Sequence, residues 1–103
     1  NKLGDKGATC IGSALSATGC PLRKVDLSGC DISDVGIQAL GNALGANKTV
    51  ETLDLSWNSF SSKGSRAIAE GIQVNERVMK LDLSHNGIGD ANGKYIAGLE
   101  LES

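Results

Sequence analysis

This chain is nearly without aromatic side chains, with one Trp, one Tyr and one Phe among 103 residues, or 3%. Trp57, the only tryptophan, therefore stands out as a candidate contact, because tryptophan is enriched among residues that dominate binding energy. Histidine is equally scarce. His85 is the only one, and the three cysteines, Cys10, Cys20 and Cys30, form no C-x-x-C pair. Zinc sites draw four ligands from clusters of these residues, so no metal ligand is assigned. No apolar run approaches the roughly 20 residues that cross a bilayer, and no charged-then-apolar leader opens the chain. A cytoplasmic protein is the expectation. Charge of one sign is also lacking: 10 basic and 12 acidic side chains are scattered, for a net charge of -2. Neither nucleic acid nor an anionic membrane surface is expected as a partner. No nucleophile elbow, phosphate-cradling glycine loop or His-Asp-Ser spacing is present. The chain is not expected to be an enzyme, and no catalytic residue or cofactor is assigned.

What the chain does have is a period. Leu22-Arg-Lys-Val25-Asp-Leu27-Ser-Gly-Cys30-Asp-Ile32, Val50-Glu-Thr-Leu53-Asp-Leu55-Ser-Trp-Asn58-Ser-Phe60 and Val78-Met-Lys-Leu81-Asp-Leu83-Ser-His-Asn86-Gly-Ile88 align without a gap, 28 residues apart. Each fits L-x-x-L-x-L-x-x-N/C-x-L. The chain thus resembles the leucine-rich repeat family, and the period resembles its ribonuclease-inhibitor-like class. The resemblance implies an α/β solenoid, with a parallel three-stranded concave sheet and helices on the convex side. It implies as well that asparagines at the Asn58 and Asn86 position bond loop backbone in a ladder, in which Cys30 makes a weaker version of the contact.

The residues support that architecture on their own terms. Val25/Leu27, Leu53/Leu55 and Leu81/Leu83 alternate with polar residues, the period of a strand with one buried face. Strands are expected near 24–28, 52–56 and 80–84. Cys10-Ile11/Ala14-Leu15, Ala39-Leu40/Ala43-Leu44, Ala67-Ile68/Gly71-Ile72 and Tyr95-Ile96/Leu99 recur at i, i+1, i+4, i+5, one stripe of a helix whose small residues let it approach the sheet. Four helices are expected. Asp5, Asp34, Ser62 and Asp90 precede them and can accept from unpaired first-turn amides. Asn47 and Asn75 fall where each helix must reverse, a place for the left-handed conformation. That role also accounts for Asn47-Lys48-Thr49 without glycosylation. Cys10 and Cys30 are expected as buried, reduced thiols, with Cys20 in a loop as the reactive one.

A single domain over residues 1–103 is expected, with repeats about 1–21 (partial), 22–49, 50–77 and 78–103. Asn1-Lys2-Leu3 aligns with Cys30-Asp31-Ile32, and a further strand would fall near position 106. Both suggest a stretch of a longer array, or ends that associate between molecules. Glu100, at the Leu44/Ile72 position, is the one trace of a polar cap.

Side chains alternate across a strand, so the positions between the buried ones form columns on the open face. Lys24, Thr52 and Lys80 make one, Asp26, Asp54 and Asp82 the next, then Ser28, Ser56 and Ser84, then Gly29, Trp57 and His85. The Asp column reads either as an acidic stripe for a basic partner or as the ordinary wording of the repeat, balanced by Lys24 and Lys80. Trp57 reads either as a contact residue or as a ring folded back on its neighbouring loop. The expected partner-binding residues are Asp26, Asp54, Asp82, Ser56, Ser84, Trp57 and His85, on a scaffold for an unidentified protein partner. The same class of repeat also implies, as alternatives, a GTPase activator or other enzyme regulator, the sensor region of an innate-immune receptor, or a flagellar or cytoskeletal subunit.

Overall fold

The structure is a computed structural model that describes residues 3–86 and 100–102. Helix α1 (Gly4–Ser16) leads to strand β1 (Lys24–Asp26), then α2 (Asp34–Ala46), β2 (Thr52–Asp54), α3 (Ser62–Val74), β3 (Lys80–Asp82) and β4 (Glu100–Glu102). All strand pairs are parallel, in the order β1-β2-β3-β4. The expected α/β leucine-rich repeat solenoid is what forms, and its sheet carries a fourth strand.

Register explains why the period matters. Lys24, Val25 and Asp26 pair with Thr52, Leu53 and Asp54, which pair in turn with Lys80, Leu81 and Asp82. Backbone bonds extend the ladder past the short strands, through Leu27 N to Asp54 O (2.8 Å), Gly29 N to Ser56 O (3.0 Å), Leu55 N to Asp82 O (2.8 Å) and Trp57 N to Ser84 O (3.0 Å). Every column predicted from the sequence therefore becomes a physical row. The buried face contributes Val25, Leu27, Leu53, Leu55, Leu81 and Leu83 to one cluster that also takes Ile37, Leu40, Leu44 and Ile68 from the helices. Phe60, in a strand-to-helix connection, is fully buried there. Each such side chain contributes about 1.5–3 kcal/mol by leaving water.

Helix spacing is set by small residues in a way the sequence reading misassigned. They bring helix to helix, not helix to sheet. A Cβ on Gly41 would stand 2.5 Å from the carbonyl oxygen of Ala67, and one on Gly71 would collide with the carbonyl of Gly41. The Cys10/Ala39/Ala67 position faces the preceding helix. No described helix lies on that side of α1, so Cys10 is exposed rather than buried. Cys20, expected as the reactive loop thiol, is buried in the core cluster instead. The turn closed by Cys20 N to Ala17 O (3.3 Å), with Gly19 at φ 81°, brings it inward.

Both helix ends also differ from expectation. Asp5 and Asp34 serve the next helix instead of their own: Asp5 accepts from Ser33 N (2.7 Å), Gly36 N (3.1 Å) and the Ser33 hydroxyl. Asp34 repeats the set one helix on, with Ser61 N (2.8 Å), the Ser61 hydroxyl (2.7 Å) and Gly64 N (2.9 Å). The glycines follow from this, since a Cβ at Gly36 or Gly64 would stand 2.6 Å from the respective carboxylate oxygen. Ser62 is exposed, and its helix is capped by Ser61, whose Oγ accepts from Lys63 N. Asn47 and Asn75 are extended, at φ -78° and -84°, and not left-handed. Their side chains form a ladder of their own. Asn47 donates to Leu15 O (2.9 Å), and Asn75 donates to Leu44 O (2.8 Å) and Asn47 O (2.9 Å).

Glu100 lies in β4 and not on a helix, and that strand comes 20 residues after β3 by its pairing with Lys80, ahead of the position expected near 106. The expected fourth helix, with Asp90, Tyr95, Ile96 and Leu99, falls outside the described residues.

Candidate partner-binding site

The Asp and Ser columns are two halves of one local device. Asp26 Oδ1 accepts from Ser28 N (3.0 Å) and Ser28 Oγ (2.6 Å). Asp54 does the same with Ser56 (2.9 and 2.6 Å) and Asp82 with Ser84 (3.0 and 2.6 Å). Asp and Ser favour such turns because a short side chain can replace a backbone acceptor. The Ser28 hydroxyl, aided by the Ser28 amide, holds the Asp26 carboxyl below the usual carboxylate range. One carboxylate oxygen of each Asp is thereby engaged within its own chain turn. Ser56 is buried at 6% exposure, so as an expected contact residue it is corrected: its hydroxyl and amide serve Asp54. Ser84 is half-buried in the same arrangement.

Just behind these turns, the asparagine ladder ties copies together. Asn58 accepts at Oδ1 from Cys30 N and Ile32 N (both 3.0 Å) and donates from Nδ2 to Leu27 O (2.9 Å) and Leu55 O (3.0 Å). Asn86 donates to Leu55 O (3.0 Å) and Leu83 O (3.1 Å). Among the described residues Cys30 Sγ bonds Ser28 O, at 3.5 Å. This rigid base carries the next residue column.

Gly29, Trp57 and His85 all adopt left-handed backbone, at φ 61°, 58° and 58°. Glycine accepts that geometry freely, whereas a side chain with a Cβ costs about 1–2 kcal/mol there. Trp57 and His85 thus hold strained positions in the same place where the first copy has glycine. Their rings stack, with centroids 3.9 Å apart and planes 12° from parallel. The ring thus lies against His85 of the neighbouring loop, and Trp57 nevertheless remains 64% exposed. Of the seven expected site residues, the structure gathers these two into an open aromatic surface and commits the carboxylates and serines to shaping the loops beneath.

On the outer flank Glu51 sits between Arg77 (2.8 Å) and Arg23 (3.5 Å). Such exposed pairs contribute about 0–1 kcal/mol. Among the described residues no group of His, Cys, Asp and Glu is placed to hold a metal ion, and no helix is long and apolar enough to cross a membrane.

The sequence matches the family model described as Leucine Rich repeat over residues 20–41, 46–69 and 74–97, more than half of the chain. The chain belongs to the leucine-rich repeat family. No curated protein sequence matches it. Among solved structures this leucine-rich repeat protein is similar to the actin-binding site 2 of leiomodin-1, with 20% identity and a TM-score of 0.82 over 100% of this chain and 69% of that one. At that identity the likeness carries the fold.

The sequence reading missed two polar devices, the Asp5/Asp34 clamps and the Asn47/Asn75 ladder. A signal for each was present in the spacing: an Asp recurring with a glycine two residues on, and an Asn recurring at one position of consecutive copies.

Proposed function

We propose that this chain is a non-enzymatic, cytoplasmic protein-interaction module of the ribonuclease-inhibitor-like class, binding its partner on the concave sheet face at the strand exits. Trp57 and His85 form the contact surface. Asp26, Asp54 and Asp82, with Ser56 and Ser84, fix the loops that present it and leave acidic character around it. The observation that carries this reading is the stacked pair itself. Two bulky residues occupy left-handed backbone, and the tryptophan stays exposed. Strain kept at an exposed aromatic surface is characteristic of ligand-contact positions, and exposed tryptophan gives a large apolar area at little entropic cost.

The test is capture of binding proteins from cell extract on wild-type protein and on Trp57→Ala, with actin as a named candidate, since the leiomodin-1 site is named for actin binding. Partners should be lost on Trp57→Ala with a fall in stability no larger than the lost stacking on His85, about 0.5–1.5 kcal/mol. Capture that is indifferent to this substitution would place the contact surface elsewhere.

A further inference from the structure

Bonds from Gly29 N to Ser56 O and from Trp57 N to Ser84 O (each 3.0 Å) hold positions 29, 57 and 85 in successive rows, about 4.8 Å apart. His85 covers the face of Trp57 that looks toward β3. With that face covered the residue is still 64% exposed, and the opposite face lies on the side of the Gly29 row. Among the described residues, a Cβ built on Gly29 would meet no atom within 4 Å. The result is an open step beside an indole, one strand spacing wide, floored by bare backbone.

The charged residues nearest Gly29 along its own loop are carboxylates. Asp26, three residues before Gly29, and Asp31, two residues after it, are both exposed, and Asp54 follows in the neighbouring row. The cations Arg23, Lys24 and Arg77 lie at the other end of the strands, toward their entrances. A group that enters the step should be flat, to stack on the indole, and positive, to satisfy the carboxylates. Arginine meets both requirements: its guanidinium is planar, stacks on aromatic faces and presents donors in a fork that fits carboxylates. A lysine ammonium meets only the second. A nucleobase meets the first, but its phosphate would face Asp26 and Asp31.

We propose that the step over Gly29 is a subsite for an arginine side chain of the partner protein, stacked on the free face of Trp57 and bonded by Asp26 or Asp31. This rests on the reading of Trp57 as a contact residue and adds the chemistry that it recognises. The probe is the peptide acetyl-Gly-Arg-Gly-amide, titrated against the intact chain and followed by the emission of the single tryptophan, beside the lysine peptide of the same length. The arginine peptide should bind about tenfold more tightly than the lysine peptide. Gly29→Asn places a side chain in the step at a backbone geometry that Asn tolerates better than most residues, and it should weaken the arginine peptide by about tenfold while the chain stays folded, with a small fall in melting temperature.

Equal affinity for the two peptides would overturn the subsite, and that comparison needs no variant to fold. Unchanged arginine binding in Gly29→Asn would overturn it too, as would a thymidine oligonucleotide that quenches the tryptophan where the arginine peptide does not. If captured partners depend on Trp57 while the peptides show no preference, the subsite fails and the interaction reading stands. If the arginine preference holds while capture ignores Trp57→Ala, the interaction reading fails instead.

Discussion

Two neighbouring columns of the same face differ in a way that separates architecture from recognition. Asp26, Asp54 and Asp82 repeat across β1, β2 and β3, and each spends a carboxylate oxygen on the serine two residues further on. Gly29, Trp57 and His85 share one backbone geometry and no side-chain chemistry. Repetition with invariant residues marks what each copy needs in order to stack. Departure from repetition, at a position where the repeat would be most comfortable with glycine, marks what this chain does beyond stacking. The Asp column looks like the more obvious site on the sequence, and in the structure one oxygen of each carboxylate is held by the serine of its own turn.

The largest expected effect lies in the ladder behind both columns. Asn58→Ala would strand the Cys30 and Ile32 amides and the Leu27 carbonyl, at a cost of about 3 kcal/mol. A denaturant titration checks this. A loss below about 1 kcal/mol would mean that water replaces the amide and that the base of the site is less rigid than described.

Asp34→Ala should cost somewhat less, about 2 kcal/mol, by removing the acceptor that joins two helices through Ser61 and Gly64. Acid adds a second test of the same clamps. The Ser33 hydroxyl holds the Asp5 carboxyl below its ordinary 3.8, and the Ser61 hydroxyl does so for Asp34. Carboxyls lowered in the folded state contribute fully above the unfolded value, and that contribution disappears as pH falls through the lowered folded value. Melting temperature should therefore fall below about pH 4 in the wild type, and less steeply in Asp34→Ala. Parallel acid profiles would contradict the assignment.

Asp54→Ala, within the invariant column, should have the smallest effect, about 0.5–1 kcal/mol of stability from one turn, with affinity for a partner held by Trp57 nearly unchanged. A much larger loss of affinity than of stability would restore the acidic stripe as the site. Thiol labelling tests the two corrected cysteine positions: a maleimide should modify exposed Cys10 well before buried Cys20.

Strand positions and rows were legible in the sequence because alternation of Val25/Leu27, Leu53/Leu55 and Leu81/Leu83 admits only one buried face, and a gapless 28-residue offset admits only one pairing. The adjacency of Trp57 and His85 followed from the same offset. Polar partners were less legible. Asp34 stands beside its own helix in the chain and beside the next helix in space, and one copy read alone favours the nearer donor. Cys10 shows the same limit, for its burial depends on whether a helix lies on that side of α1 and not on its own stripe. Strand β4 did leave a mark, since Glu100 and Glu102 alternate with Leu101, but a helical phase carried forward from Tyr95 obscured it. Backbone sign was the least legible feature, because neither Trp nor His announces a left-handed turn as Gly29 does.

Trp57→Gly tests the central claim most directly, since it gives the second copy the residue that the first already has. Relief of left-handed strain, about 1–2 kcal/mol, should offset the lost stacking on His85, about 0.5–1.5 kcal/mol. The melting temperature should stay the same or rise slightly while affinity for the captured partner falls at least about tenfold, in keeping with a tryptophan anchor. A protein that loses stability and keeps its affinity would show that the ring belongs to the architecture and that the site lies elsewhere.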